Sequence, residues 1–218
     1  MNCLLVAATA GEIAPFLEHY RNSDKSLFVD VNIDVLITGI GLTATSYHLT
    51  RHFCLKKPDL VIQAGIAGSF DKRISLGTVM TVKKDAIADE MVLESKKLKT
   101  KFDLNLASPH QFPYTKGWLE NPYKKMLKRI GLKSATSISV NQISTDKQTI
   151  KLYEKKFNPV LESMEGAAFH YCCLMSNVPF LQIRGVSNYI SERDKKKWKT
   201  KESISNLNLV LIKLFENL

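Results

Sequence analysis

Four short polar segments each follow an apolar, strand-like run, and they contain the side chains that could do chemistry. The segments cover residues 9–12, 65–69, 162–165 and 187–188. Ligands of α/β proteins bind where strands end and loops diverge, so these segments are the candidates for a binding or catalytic site. Their carboxylates, hydroxyls and amide are suited to moving a proton, holding a hydroxyl group or reading the edge of a heterocycle.

Two carboxylates are the main candidates. Glu12 opens the first predicted helix, where it is placed to take a proton from water, although a favourable interaction with the helix dipole also explains it. Glu165 begins a helix that is otherwise apolar, so we expect it to be partly buried, with partners or a shifted pKa. Helix capping explains Glu162 or Ser163 better than it explains Glu165, for which a functional and a structural interpretation stay open.

Polar residues also close the last predicted strand. Arg184 lies within an apolar run, where a buried guanidinium is costly unless it is paired, and the acids near residue 165 are candidate partners. Ser187 and Asn188 offer a hydroxyl and an amide that could read a heterocycle edge, with a turn as the structural alternative.

The glycines and histidines give weaker signals. Residues 65–69 lack the Lys-Ser/Thr of a P-loop and residues 39–41 lack the third glycine of a dinucleotide fingerprint, so turn glycines are favoured in both. His48 and His52 have no H-E-x-x-H pattern or third ligand, so no metal site is predicted. His170 is expected to be a hydrogen-bonded core residue.

The elements that must position these residues alternate between strand and helix. Apolar runs predict strands over residues 3–8, 32–38, 60–64, 77–87, 135–140, 159–162 and 179–186. Helical spacing predicts helices over residues 12–20, 42–53, 123–130, 147–155, 164–175 and 204–218. Residues 88–122 are interpreted as loops with short elements. The alternation predicts one α/β domain over residues 1–218 with a buried, mostly parallel sheet.

Composition narrows the class of protein. The 218 residues are 44% hydrophobic and 24% charged, as in globular proteins. The apolar runs are too short for a transmembrane helix, and residues 1–8 lack the cationic start of a signal peptide. The sequence therefore predicts no membrane partner.

The net charge and the cysteines indicate which partners and which compartment the protein has. The net charge of +10 is concentrated in lysine clusters at residues 96–101 and 195–201. Too few aromatic residues interrupt these clusters for a stacking platform, so a solvated surface is favoured over nucleic-acid binding. The four cysteines (Cys3, Cys54, Cys172 and Cys173) have no metal-ligand spacing and are expected to be buried free thiols of a cytoplasmic protein.

The ordered set of motifs resembles the nucleoside phosphorylase superfamily, and within it the nucleosidases. The resemblance runs through almost the whole chain. Its motifs are Ala7-Ala8-Thr9-Ala10-Gly11-Glu12, Gln63-Ala64-Gly65-Ile66-Ala67-Gly68-Ser69-Phe70 with Leu76-Gly77, Glu162-Ser163-Met164-Glu165-Gly166-Ala167-Ala168-Phe169, and Ile183-Arg184-Gly185-Val186-Ser187-Asn188-Tyr189 with Arg193-Asp194 and Trp198. The last two motifs are most similar to nucleosidases that release hypoxanthine.

The resemblance implies a three-layer α/β/α fold around a central twisted, mixed, mostly parallel sheet. It also implies that Glu12 activates the attacking water and that Glu165, beside Met164, binds the ribose hydroxyls. Hydrogen bonds to those hydroxyls would strengthen as the sugar becomes oxocarbenium-like. The full expected substrate-binding set is Ile66, Ala67, Gly68, Ser163, Met164, Glu165 and Ser187, with Arg184 as a further candidate.

Four positions concern the base, the attacking water and the far end of the substrate. Asn188 matches an Asp that acts as a general acid in adenine-specific nucleosidases; an amide cannot supply that proton, but it can accept from N7–H and donate to O6 of a 6-oxopurine. Ile66 replaces a Ser that helps to hold the water. Ile143 lies in the loop where the family stacks the base, and that loop has no aromatic residue. Arg193 is a candidate partner for a benzoate tail beyond the ribose.

The leading expectation is therefore a nucleosidase that releases hypoxanthine without a metal or cofactor. The alternatives are an adenine-releasing nucleosidase, a purine nucleoside phosphorylase, a basic nucleic-acid-binding protein and a non-catalytic ligand-binding protein. Phosphorolysis needs an anion site, and residues 9–11 supply no Arg or Lys for one. The resemblance also implies a homodimer.

Overall fold

The computed structural model describes residues 1–24, 28, 30–94 and 97–218, and most of its strands form one mixed sheet. The strands are β1 (Asn2–Ala7), β2 (Asn32–Ile37), β3 (Leu60–Ser69), β4 (Val79–Asp85), β5 (Met91–Glu94), β6 (Lys97–Thr100), β7 (Leu119–Glu120), β8 (Ser134–Ser139), β9 (Leu161–Ser163) and β10 (Phe180–Tyr189). The helices are α1 (Ala10–Asn22), α2 (Leu42–Leu55), α3 (Lys124–Arg129), α4 (Lys147–Phe157), α5 (Gly166–Met175) and α6 (Thr200–Phe215).

The sheet is mixed and mostly parallel, as the sequence predicts. Strands β2, β1, β3 and β10 are parallel neighbours in that order, and β4, β8 and β9 form a second parallel set. Antiparallel pairing joins β10 to β4 and β9 to β3. These pairings close β3, β10, β4, β8 and β9 into a ring, and β1 and β2 extend the sheet outward from β3.

Helices cover both faces of the sheet and complete the three layers. Side chains alternate between faces along a strand. In β1, Cys3, Leu5 and Ala7 pack in the same cluster as residues of α1 and α6. Leu4 and Val6 belong to the opposite cluster, which includes residues of α2 and α5. Because both faces of the strand are buried, β1 is apolar from Cys3 to Ala7.

Two of the predicted strand ends are wrong, and both errors affect the site. The sequence predicts ends at residues 64 and 186, but β3 continues to Ser69 and β10 to Tyr189. Parallel pairing between these strands runs from Val61↔Phe180 to Ser69↔Tyr189 and supplies backbone partners to residues that look like loops in the sequence. Residues 65–69 and 187–188 are therefore strand residues. Turn glycines are correctly predicted at positions 39 and 41, where φ is +79° and +99°.

The predicted exposure of the lysine clusters and the predicted burial of the cysteines are confirmed only in part. The five lysines within residues 195–201 are exposed, as predicted, whereas Lys96 of the other cluster lies outside the described residues. Cys54 is exposed and not buried, because it lies off the face of α2 that Leu42 and Leu49 bury. Cys3, Cys172 and Cys173 are buried free thiols. None of the helices in the described part of the chain is long and apolar enough to cross a membrane.

Candidate active site

A cavity of about 480 Å³ opens at the carboxyl ends of β1, β3 and β10, where the polar segments converge. Most of the residues singled out in the sequence line it. They are Glu12, Ile66, Ala67, Gly68, Ile143, Ser163, Met164, Glu165, Ser187 and Asn188. Arg184 lies behind the wall of this cavity, and Arg193 lies outside it.

Glu12 is buried and held by backbone donors from two elements. Its Oε2 accepts from the Thr9 backbone N–H at 3.0 Å, and its Oε1 accepts from the Ile66 backbone N–H at 3.0 Å. The first bond caps the start of α1, so Glu12 also has a structural role there. The second bond comes from β3 and turns the carboxylate toward the cavity. Oε2 also accepts from the Thr9 hydroxyl at 3.2 Å, so Oε1 is the oxygen that keeps a lone pair for a further donor such as water.

Glu165 ends the segment before α5, and it too is buried. Its Oε1 accepts from the Gly41 backbone N–H at 3.1 Å, and its Oε2 lies 3.5 Å from Nη1 of Arg184. The expected burial of Glu165 and its pairing with Arg184 are both confirmed. Arg184 is 1% exposed and also donates to Oε1 of Gln63 at 3.0 Å. A buried carboxylate held by a fixed cation is suited to accepting hydrogen bonds from sugar hydroxyls.

Gly65 allows Arg184 and Glu12 to approach each other across β3. A Cβ atom at this position would lie 2.5 Å from Nη1 of Arg184 and 2.8 Å from Oε1 of Glu12. The residue therefore serves close side-chain packing, and the prediction of a turn glycine is wrong here. At Gly68 a Cβ atom would lie 2.5 Å from Cδ1 of Ile190. Both glycines keep the site compact.

The start of α5 is capped by hydroxyl groups that come from two strands. Ser163 Oγ accepts from the Gly166 backbone N–H at 3.3 Å, and Ser139 Oγ accepts from the Ala167 backbone N–H at 2.8 Å. These bonds satisfy helix donors that would otherwise be buried without partners. Ser163 thus has the expected capping contact. Glu162 does not, because it lies within β9 and faces residue 144 instead.

A bulge at Ser187 sets the direction of Asn188. The register of β10 against β3 shifts between Val186 and Asn188. Bulges re-aim side chains and are frequent beside active sites. The Ser187 hydroxyl lies 2.8 Å from Oδ1 of Asn188, and Nδ2 of Asn188 donates to the Tyr189 carbonyl at 3.2 Å. The amide keeps one lone pair on Oδ1 and one N–H on Nδ2 for a ligand.

Residues 141–144 form a cavity-lining loop that two acids hold in place. Oε1 of Glu162 accepts from the Ser144 backbone N–H at 3.1 Å, and Asp89 accepts from the Asn141 backbone N–H. Burial raises the pKa of Glu162, while the hydrogen bonds from Ser144 act to lower it. Ile143, which is 42% exposed, presents its side chain to the cavity.

Trp198 also lines the cavity, although the sequence motifs predict no role for it. Two features of the sequence point to Trp198 as a cavity residue. It belongs to the closing motif, and residues 141–144 contain no aromatic side chain. For metals, the described residues contain no group of three or more His, Cys, Asp or Glu side chains placed to hold an ion.

The fold and this site define an α/β protein with a candidate active site at the carboxyl ends of its strands, and comparisons with known proteins give the family. The model of the phosphorylase superfamily matches residues 4–216, so the chain belongs to that superfamily. It is 28% identical to futalosine hydrolase of Thermus thermophilus, over 94% of this chain and 91% of that protein. It is 29% identical to 5'-methylthioadenosine/S-adenosylhomocysteine nucleosidase of Maridesulfovibrio salexigens, over 74% of this chain and 70% of the relative.

Solved structures show the same fold. Futalosine hydrolase of Helicobacter pylori superposes with a TM-score of 0.79 at 18% identity, covering 100% of this chain and 98% of that one. The 5'-methylthioadenosine/S-adenosylhomocysteine nucleosidase of the same organism gives 0.79 at 18% identity, covering 100% and 99%. Together the sequence relatives support nucleosidase function in an enzyme of this superfamily.

Proposed function

We propose that the protein hydrolyses the N-ribosidic bond of futalosine and releases hypoxanthine and dehypoxanthine futalosine, a reaction of menaquinone biosynthesis. The observation that carries this proposal is the carboxamide of Asn188 in the cavity that also contains Glu12. Its free lone pair and free N–H match the N7–H and O6 of a 6-oxopurine. An adenine would set an amino donor against the amide N–H in this orientation.

The proposed chemistry assigns separate tasks to the two carboxylates. Glu12 takes the proton of a water molecule that attacks C1′ as the bond to the purine breaks. Glu165 accepts hydrogen bonds from the ribose hydroxyls, and these bonds strengthen as positive charge develops on the sugar. Asn188 cannot donate an acidic proton, so solvent protonates the departing purine. The step needs no metal or cofactor.

A second candidate is the methylthioadenosine/S-adenosylhomocysteine or aminodeoxyfutalosine nucleosidase reaction. Several relatives have the former activity in their names, which is the observation that favours it. Rotation of the Asn188 amide by half a turn would exchange its donor and acceptor and suit adenine. Phosphorolysis is disfavoured because residues 9–11 at the cavity provide no cationic side chain for phosphate.

We further propose that the protein acts as a homodimer on a small-molecule nucleoside in the cytoplasm, without nucleic acid or membrane as a partner. Three buried free thiols are consistent with a reducing compartment. Exposed apolar side chains of α2 and the 101–118 segment, namely Tyr47, Leu106 and Phe112, offer a surface for a second copy.

The decisive experiment is base release in phosphate-free buffer from futalosine, aminodeoxyfutalosine, methylthioadenosine and inosine. Hypoxanthine release from futalosine, with little adenine release from the amino nucleosides, is the expected result. Preferential adenine release would replace the proposed substrate with the second candidate. Release that requires phosphate would overturn the hydrolase assignment.

A further inference from the structure

Trp198 is the one aromatic residue among the described residues that line the active-site cavity. It lies between the short 3₁₀ turn at Lys195–Lys197 and the start of α6. The loop at residues 141–144 presents Ile143 to the same cavity and contains no aromatic side chain. The site therefore has an apolar loop and a single indole to cover the faces of a planar ligand.

Backbone contacts tie Trp198 to the strand that carries Asn188. The next residue, Lys199, donates its backbone N–H to the Ser187 carbonyl at 2.8 Å. This bond places the backbone next to Trp198 beside the bulge that aims the Asn188 amide, and both side chains line the same cavity. The position is appropriate for a side chain that covers the face of a base whose edge Asn188 reads.

A hydrogen bond from the indole nitrogen also fixes the orientation of the ring. Its Nε1–H donates to the Glu192 carbonyl at 3.0 Å, which closes the 192–198 segment on itself. The guanidinium carbon of Arg193 lies 5.9 Å from the ring centroid, within the range of a cation–π contact. The indole N–H already donates to the Glu192 carbonyl. The ring can therefore contact a ligand through its apolar face but has no hydrogen bond to donate to it.

We propose that Trp198 stacks on the purine base and is a base-binding residue of this site. The inference rests on the proposed function, because it takes the purine as the ligand. Aromatic rings stack on any base, so Trp198 supplies affinity for a purine while Asn188 distinguishes between purines. Arg193 then acts through the ring that it contacts.

Tryptophan fluorescence tests the stacking directly. The only other tryptophan, Trp118, lies in a separate cavity beneath Lys84 Nζ, so Trp118→Phe leaves Trp198 as the sole reporter. Titration of this variant with hypoxanthine should quench the emission saturably.

Equilibrium dialysis of hypoxanthine, run in parallel, measures binding without relying on fluorescence. Binding by dialysis with unchanged emission would overturn the stacking and leave the proposed function intact. Absence of hypoxanthine binding by dialysis would instead count against the proposed function.

Two substitutions separate stacking from a role in holding the loop. Trp198→Phe keeps a ring but loses the bond to Glu192, whereas Trp198→Leu loses both. We expect Trp198→Leu to weaken hypoxanthine binding by roughly 10- to 100-fold, and Trp198→Phe to retain most of the affinity. Equal losses in the two variants would show that the Glu192 bond matters and would overturn the proposal. Thermal midpoints show whether each variant is folded. If Trp198→Leu does not fold, the fluorescence titration of Trp118→Phe still tests whether Trp198 stacks on the base.

Discussion

Glu12 and Glu165 are each held by donors that lie far away in the sequence. Glu12 accepts from Ile66 in β3, and Glu165 accepts from Gly41 and pairs with Arg184. Neither carboxylate depends on its own helix alone for its position. Fixed dipoles and a buried cation can therefore hold both groups ready before the substrate binds.

Glu12→Gln tests the proposed base. The amide preserves size and can still fill the site, but it cannot take a proton from water. We expect the rate of base release to fall by about 10²- to 10⁴-fold, with hypoxanthine binding largely unchanged. Glu18→Gln is the matched control, since Glu18 is an exposed acid on the same helix. A Glu12→Gln variant with normal turnover would exclude Glu12 as the base.

Asn188→Asp tests the basis of purine discrimination. A carboxyl group can donate a proton to N7 and accept from the amino group of adenine, so the ratio of adenine to hypoxanthine release should rise by roughly tenfold or more. Both products are measured with one preparation, which makes the ratio independent of the fraction that is folded. An unchanged ratio would mean that Asn188 does not read position six.

Arg193→Ala distinguishes a contact with the substrate tail from a contact with Trp198. If Arg193 binds the benzoate, KM should increase more for futalosine than for inosine, which lacks the tail. If it acts only through Trp198, both substrates should be affected equally, because they share the base. We expect this second result, since Arg193 lies outside the cavity and contacts the Trp198 ring. The measurement is KM for both nucleosides, with the exposed Arg73→Ala as a control for lost surface charge.

At the scale of elements, the site depends on β3 and β10 lying side by side up to their carboxyl ends. Gly65, Ile66 and Gly68 come from one strand, and Arg184 and Asn188 from the other. Their parallel register brings Gly65 opposite Arg184 and Gly68 opposite Asn188. Small residues on β3 make room for the long and polar side chains of its neighbours.

Gly65→Ala should disrupt this arrangement. The added methyl group would overlap Arg184 and Glu12, whose buried surroundings leave little room to adjust. We expect a loss of about 1–3 kcal/mol in the free energy of unfolding, together with reduced turnover. Gly11→Ala provides the stability control, because a Cβ atom there meets nothing within 4 Å. Similar unfolding midpoints for the two variants would contradict the packing argument.

At the scale of the whole molecule, hydrogen bonds among buried polar groups link β4, β8 and β10 to α5. Burial raises the pKa of Asp85 to about 6, although the hydrogen bond from Ser139 opposes the shift. Burial lowers the pKa of His170 to about 4, although its hydrogen bond to the Leu119 carbonyl opposes that shift. His170 is thus the hydrogen-bonded core residue that the sequence predicts. The positive Arg184 lies near both groups and favours the ionised Asp85 and the neutral His170.

These two groups give opposite pH dependences of stability. Between pH 3.8 and about 6 the folded state holds more protons on Asp85 than the unfolded state, so this contribution falls as pH rises. Between about pH 4 and 6.5 the folded state holds fewer protons on His170, so that contribution rises with pH.

Asp85→Asn should expose the His170 contribution. We expect the free energy of unfolding, measured by urea titration from pH 4 to 6.5, to rise more steeply with pH than in the unsubstituted protein. Glu154→Gln, which removes an exposed acid of α4, should leave the slope nearly unchanged. Parallel curves for Asp85→Asn and the unsubstituted protein would show that Asp85 does not titrate in this window.

The sequence predicts the alternation of strands and helices, because apolar periodicity reports which faces are buried. It also identified most of the cavity-lining residues, because ligands bind at strand ends and the motifs lie there. The tertiary structure alone decided how far β3 and β10 extend, since their last residues are stabilised by pairing with each other and not by local propensity. It also decided that Gly65 is a packing residue, that Glu165 and not Glu162 is the acid that pairs with Arg184, and that Trp198 reaches the cavity. Each of these depends on which distant segments meet, and local sequence patterns do not record such contacts.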